Sequence, residues 1–310
     1  MKYLITGGAG FLGSNLCKKL LEQGHSVICL DDLSTGKKSN VESFESNPNF
    51  EFLNHDLTKP YFPEAIDYIF NLACPASPVH YQYNPIRTLK MGTLAMYNVL
   101  GMAAKNNIPI LQASTSEVYG DPLQHPQTET YWGNVNPIGP RACYDEGKRV
   151  AESLCLAYHE HSGVQIRIAR IFNTYGPFMD KDDGRVISNF VTQALQNKPI
   201  TIYGDGSQTR SFCYVDDLIE GLVKLMNSNY NLPVNLGNPE EYSIKEASHL
   251  IRDLTSSNSS ITYKDLPKDD PVKRRPDISL AKKEIDWEPK IQLNEGLEMT
   301  IKWFENILKK

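Results

Sequence analysis

No apolar run in the 310-residue sequence approaches the ~18 residues of a membrane span, and no C-x-x-C pair, metal-type spacing or small disulfide framework groups its cysteines. A membrane-spanning or disulfide-stapled protein is not expected. Cys17, Cys29, Cys74, Cys143, Cys155 and Cys213 read as reduced, buried thiols, and the seven histidines form no ligand pair, so no metal is expected. An excess of positive charge is also missing. With 32 Lys+Arg against 37 Asp+Glu, the net charge of −5 argues against nucleic acid as a partner, because phosphate neutralisation needs a net basic face. The start, MKYLITGGAG, enters a strand-like segment within three residues of Met1 and leaves no room for a signal peptide. The expected setting is the cytoplasm, away from membranes. Internal repeats and low-complexity tracts are absent.

What the sequence does have is alternation. Short runs rich in β-branched and apolar residues, at 3–6, 27–30, 50–54, 68–72, 110–113 and 165–170, predict strands. Periodic segments at 14–23, 89–106 and 144–161 predict helices between or after them, which is the pattern of parallel βαβ units. After residue 173 the chain becomes Pro/Gly-punctuated, with a shorter strand at 200–203, helices at 186–196 and 216–227, a loop at 256–260 and an amphipathic helix at 293–309. At ~150 residues per domain the length suggests about two units.

TGGAGFLG places Gly7, Gly10 and Gly13 between the first strand and the first helix. Glycine there permits a tight turn, close approach of a pyrophosphate and packing of helix on strand, while the helix start supplies anion-binding N–H groups. Asp31 ends the second strand, 18 residues past Gly13, where it can accept both ribose hydroxyls. With Asp32 beside it, a 2′-phosphate would be repelled, so NAD is expected rather than NADP. The expected fold class is therefore α/β, with a Rossmann-type doubly wound parallel sheet. Residues 1–173 form the NAD-binding domain, and 174–310 form a smaller C-terminal α/β substrate-binding domain interleaved with it.

ASTSEVYG, residues 113–120, follows the fifth strand, so its side chains sit at the carboxyl ends of the sheet, where open α/β proteins bind ligands. Tyr144-Asp-Glu-Gly-Lys148 opens a helix, and four-residue spacing puts Tyr144 and Lys148 on one face. A tyrosine titrates near 10, too high for a base at neutral pH; a neighbouring ammonium and a nicotinamide cation would lower it. Thr115 is placed to orient a substrate alcohol.

These residues resemble the extended short-chain dehydrogenases, the NAD-dependent epimerases, dehydratases and decarboxylases of sugar nucleotides, over nearly the whole chain. TSEVYGDPLQHPQTETYWGNVNPIGPRACYDEGKR, DDGRVISNF and YGDGSQTRSFCYVDDLIEG are most similar to the UDP-glucuronate decarboxylases among them. In the dehydratases an Asp-Glu pair follows the threonine, and in many 4-epimerases neither residue is acidic; here they are Ser116 and Glu117. A second acid would repel a substrate with its own carboxylate. The resemblance implies that Tyr144, with Lys148, takes the 4-hydroxyl proton while a hydride moves to NAD. The 4-keto acid then loses carbon dioxide, carbon 5 is reprotonated through Glu117, Ser116 or a water they hold, and the hydride returns. A UDP-sugar 4-epimerase or a 4,6-dehydratase is the enzymatic alternative, and an NAD-sensing binding protein the non-enzymatic one.

The resemblance also implies a homodimer and the cofactor contacts: Phe11 and Leu12 with the glycines, Asp31, Asp32, Thr35, Gly36, Asp56, Leu57, Leu72, Ala73, Ala113, Tyr144 and Lys148. For the UDP-sugar it implies Lys90, Asn173, Arg185, Arg210 and Arg274, the last near the uronate, with Arg275 an adjacent rival. Without the resemblance, Lys273-Arg274-Arg275 reads as a solvated loop, Asn173 as a turn amide and Lys90 as a surface lysine. Two departures stand out. Gly92, Ala95 and Met96 occupy places where relatives carry Asn and then Gly-Thr, and DDLSTGKK lacks the aromatic residues usual before Thr-Gly.

Overall fold

The computed structural model describes residues 1–267, 269, 271 and 273–309. Six strands precede residue 172: β1 (Lys2–Thr6), β2 (Ser26–Asp31), β3 (Phe50–Asn54), β4 (Tyr68–Asn71), β5 (Ile110–Thr115) and β6 (Ile166–Ile171). Beyond them come β7 (Thr174–Tyr175), β8 (Ile200–Tyr203), β9 (Thr209–Ser211), β10 (Cys213–Tyr214), β11 (Pro233–Leu236), β12 (Glu241–Ser243), β13 (Ile261–Lys264) and β14 (Lys273–Arg274). The helices are α1 (Phe11–Glu22), α2 (Pro78–Tyr83), α3 (Pro85–Lys90), α4 (Met96–Asn106), α5 (Ala142–Ser162), α6 (Val186–Leu195), α7 (Val215–Met226), α8 (Ile244–Leu254), α9 (Ser279–Ile285) and α10 (Leu293–Leu308).

The main sheet is wholly parallel, in the order β11-β6-β5-β4-β1-β2-β3. Successive side chains of a strand point to opposite faces, and these strands are apolar on both, as a sheet covered on two sides requires. Tyr3, Ile5, Val27, Cys29, Phe70 and Leu111 enter one core, which α1 and α7 cover. Leu4, Ile28, Leu30, Ile69 and Ile110 enter the other, beneath α4 and α5. Strand order reverses around β1, which has β2 on one side and β4 on the other. That switch point opens a crevice at the carboxyl ends of the strands.

The seventh strand of the sheet lies outside the six that the sequence pattern predicts. β11 comes from far down the chain, and its run PVNL begins with proline and contains Asn235, so it lacks a strand's usual pattern. Asn235 is fully buried because its amide donates to Gln127 and Asp277 carbonyls at 3.0 and 3.1 Å and accepts the Tyr119 hydroxyl at 2.7 Å. The smaller C-terminal part holds short sheets, β12-β9-β14 and β13-β8, with α6, α8 and α10 packed together.

The helix predicted over 89–106 is also broken. A π turn at Met91–Ala95 joins α3 to α4, and a Cβ at Gly92 would lie 2.6 Å from the Gly147 carbonyl. The departure at Gly92 thus lets the π turn touch α5 one residue before Lys148. Among the described residues no helix is long and apolar enough to cross a membrane.

Candidate active site

The turn from β1 to α1 is the tightest part of the crevice. Gly7 has φ +67° and donates to Leu30 O at 2.8 Å, while a Cβ on Gly13 would stand 2.1 Å from Gly7 O. No side chain fits between them. Gly10 precedes α1 with extended backbone and no side-chain cap, so the first N–H groups of the helix face the cavity beside Phe11 and Leu12. Asp31 is buried at the end of β2, its carboxylate accepting from Ala9 N at 3.0 Å and Leu33 N at 2.8 Å. Burial raises the Asp31 carboxyl above its usual range, against the pull of those N–H groups. Gly36 lies so close that a Cβ there would sit 2.7 Å from Asp31 Oδ2.

One cavity of about 910 Å³ runs from this turn to the centre of the sheet. It gathers Gly7, Gly10, Gly13, Asp31, Asp32, Thr35, Gly36, Leu57, Leu72, Ala73 and Ala113 with Thr115, Ser116, Glu117, Tyr144 and Lys148. Asn173, Arg185 and Arg210 line it as well. Lys90 and Asp56 do not: they line a separate recess with Thr58 and Arg87. Lys90 is an exposed residue ending α3, so its expected place beside the sugar is not what the helix presents. Arg87 also changes the reading of Asp32. It pairs with Asp32 and approaches Asp56 at 3.6 Å, so the charge expected to repel a 2′-phosphate is partly neutralised.

At the chemical end, Thr115 closes β5 and its hydroxyl accepts from Glu117 N at 3.2 Å. The Tyr144 hydroxyl shares a hydrogen bond with the Thr115 side chain, and its ring stacks on Tyr81 at 5.0 Å and 8°. Lys148 Nζ stands 5.8 Å from the Tyr144 ring centroid and donates to Ala113 O at 2.6 Å. Burial pushes the Tyr144 phenol well up, Cys74 adds to this, and the Thr115 hydrogen bond only partly opposes them. With its ammonium on a carbonyl, Lys148 does not by itself hold a phenolate.

Glu117 is clasped by two arginines, pairing with Arg141 and lying 3.5 Å from Arg274. Burial works against its charge, but Arg274 and Arg141 outweigh it and hold the carboxyl at about 2. Arg274, 1% exposed, also donates to Ser116 O and, at 2.7 Å, to Gly120 O. Its neighbour Arg275 lies 3.8 Å from Glu241, so of the two rivals it is Arg274 that reaches Glu117, from behind the cavity wall. Arg210 is buried on the same side. Arg185 begins α6 and is engaged by Asp183, with its guanidinium 5.8 Å from the Phe11 ring, nearer the cofactor turn.

The family model described as NAD dependent epimerase/dehydratase family matches residues 3–243. The chain belongs to that family. It is 56% identical over 308 residues to UDP-glucuronic acid decarboxylase 1 of Danio rerio, covering 99% of this chain and 73% of that one. UDP-glucuronic acid decarboxylase 1 of Arabidopsis thaliana is 54% identical over 306 residues, covering 99% and 70%. Among solved structures, the UDP-glucuronic acid 4-epimerase of Bacillus cereus, in complex with UDP-glucuronic acid and NAD, has TM-score 0.89 and 27% identity, covering 99% of this chain and all of that one (100%).

The NAD-dependent epimerase/dehydratase family accounts for the cavity's two ends. NAD fits the first: the glycine cradle that a Cβ would fill and the carboxylate of Asp31 are where a pyrophosphate and a ribose are held. Four residues that shape this family member's site escaped sequence reasoning: Arg141, Tyr81, Asp145 and Arg87. Only Arg141 left a signal, being one helical turn before Tyr144. Tyr81 and Arg87 arrive through the path of α2 and α3 across the crevice, and Asp145 through burial of an acid on α5.

Proposed function

We infer that this chain is an NAD-dependent carboxy-lyase that converts UDP-glucuronate to UDP-xylose and carbon dioxide. The observation that carries this is Glu117 in the cavity wall, paired with Arg141 and backed by Arg274, with Ser116 beside it where a dehydratase would carry another acid. Identity of 56% and 54% to UDP-glucuronic acid decarboxylases supports it, against 27% to the 4-epimerase. NAD, held at the Gly7–Gly13 turn and Asp31, would supply a reversible hydride acceptor for carbon 4 and a positive charge. Thr115 and Tyr144 hold the 4-hydroxyl between them, and Tyr144 takes its proton and later returns it. Arg141, in the cavity wall, orients the uronate while Arg274 holds Glu117 from behind, so that carbon dioxide leaves from a β-keto acid, whose electrons pass to the keto oxygen. Arg210 and Arg185, with Asn173, supply the cations and amide that a net-negative protein needs for a diphosphate.

Product mass from UDP-glucuronate and NAD separates the readings: loss of carbon dioxide for a decarboxylase, no change for a 4-epimerase, loss of water for a dehydratase. Absence of any change in both substrate and product would favour a binding protein.

The same reading includes a homodimer. Leu89, Leu94, Tyr97 and Val150 are exposed on the packed helices α3, α4 and α5 and the π turn, and large apolar side chains grouped this way support burial by a second copy. Light scattering is expected to give twice the 35.0 kDa chain mass; a single chain mass at micromolar concentration contradicts the dimer. All six cysteines are free, which supports a cytoplasmic setting.

A further inference from the structure

Decarboxylation of a uronate consumes one proton. The bond between carbons 5 and 6 breaks, carbon dioxide leaves without its electrons, and the pair left on the keto oxygen returns to carbon 5 with a proton. Tyr144 is not the source, because the proton it takes from the 4-hydroxyl goes back to the same oxygen when the hydride returns. Glu117 faces the cavity but is fully engaged, ion-paired to Arg141 and close to Arg274. A second acid is required.

Asp145 meets the requirement. It follows Tyr144 on α5, is 5% exposed, and does not line the cavity. Its Oδ1 is buried without a hydrogen-bond partner, which costs a charged carboxylate far more than a neutral carboxylic acid. The charged and titratable groups that act on it electrostatically are Glu117 from the turn after β5, Arg274 from β14, Tyr81 from α2, and Arg141, Cys143 and Glu146 from its own segment. Tyr81 also has a buried hydroxyl without a partner. Burial, then the Glu117 charge, raise the Asp145 carboxyl to about 7, against the pull of Arg141 and Arg274.

We propose that Asp145 is the proton reservoir of the reaction, acting through Glu117. This rests on the decarboxylase reading. When the uronate engages Arg141, it takes a cation from Glu117, which then accepts the Asp145 proton. Glu117 gives that proton to carbon 5 as carbon dioxide departs, and Asp145 recovers one from water. One proton enters per turnover, and no oxidant or reductant is used. Asp145 is a positioning and proton-holding residue, since it does not touch the reacting carbon.

The test is D145N beside the unaltered protein, with carbon dioxide, enzyme-bound NADH, UDP-xylose and UDP-4-keto-pentose all measured between pH 5.5 and 9. The unaltered protein is expected to lose kcat as pH rises through about 7, because the reservoir empties. D145N is expected to release carbon dioxide in the first turnover, accumulate NADH, shed the keto-pentose, form UDP-xylose about 100-fold more slowly and lack that alkaline fall. D145E should restore UDP-xylose formation with the alkaline fall displaced. UDP-xylose formed by D145N within about twofold of normal, with the same alkaline fall, overturns the proposal. If D145N does not fold, an alkaline fall at the same pH in D145E overturns it. Failure of the unaltered protein to release carbon dioxide refutes the decarboxylase reading itself.

Discussion

Y144F removes turnover by about 10³-fold or more while NAD binding persists. The substitution deletes one oxygen and leaves the ring, so the stack on Tyr81 at 5.0 Å survives and α5 keeps its packing. What is lost is the group that shares a hydrogen bond with Thr115 and exchanges a proton with the 4-hydroxyl. General-base catalysis is worth ~10²–10⁴ in rate, and each tenfold is ~1.4 kcal/mol of barrier. The phenol's raised proton affinity makes the dependence steeper, because the Thr115 hydrogen bond and the Arg185 charge only partly oppose burial. The cofactor cradle at Gly7, Gly13 and Asp31 is formed by other elements. Stopped-flow formation of NADH and a fluorescence titration with NAD check the two halves separately. Hydride transfer at a normal rate in Y144F would exclude this residue as the base.

R274A is expected to lose both stability and recognition of the uronate. Arg274 is buried, and its removal strands the Ser116 and Gly120 carbonyls and leaves Glu117 with fewer cations. Breaking a buried pair in this way costs ~3–5 kcal/mol, which lowers the melting temperature by several degrees. The pH dependence follows. Glu117 is held below its ordinary 4.5, so it stabilises the fold above that pH and the stabilisation is lost as pH falls toward about 2. In R274A the Glu117 carboxyl moves back up, and acid unfolding begins at higher pH. R274K keeps a charge without the fork that reaches two carbonyls and a carboxylate. It should retain more stability than R274A, yet bind UDP-glucuronate little better than UDP-glucose. Calorimetric melting and titration with both sugars check this; an undiminished preference for the uronate in R274K would place its recognition elsewhere.

The elements that run on apolar alternation were legible in the sequence. β3 and β8 fall where the pattern puts them, and the other main strands shift by a residue or two because edge residues such as Lys2 and Ser26 pair despite their polarity. β11 was hidden because Asn235 is buried by hydrogen bonding and not by hydrophobicity. The π turn was hidden because the spacing of Leu89 to Asn106 satisfies a continuous helix, and the close approach of Gly92 to Gly147 is a contact between segments that no local pattern reveals.

The site was legible where one motif carries its own geometry, as in the glycine turn and the Tyr144/Lys148 spacing. It was not legible where function depends on which charges meet through space. The sequence contains Arg274 and Arg275 side by side, and only the β9–β14 pairing turns the first inward. Lys148 was assigned to Tyr144 by helical spacing, but its closest acceptor is Ala113 O on the neighbouring strand. Arg87 approaches two acids from different loops, and no sequence spacing brings those three together.

The central claim is that one carbon leaves the sugar while NAD is conserved. UDP-glucuronate labelled at carbon 6, incubated with the protein and a limiting amount of NAD, tests it most directly. The account predicts labelled carbon dioxide and unlabelled UDP-xylose in equal amounts, through many turnovers per NAD. A labelled uronate of unchanged mass, epimerised at carbon 4, or NADH formed in step with product, would contradict it.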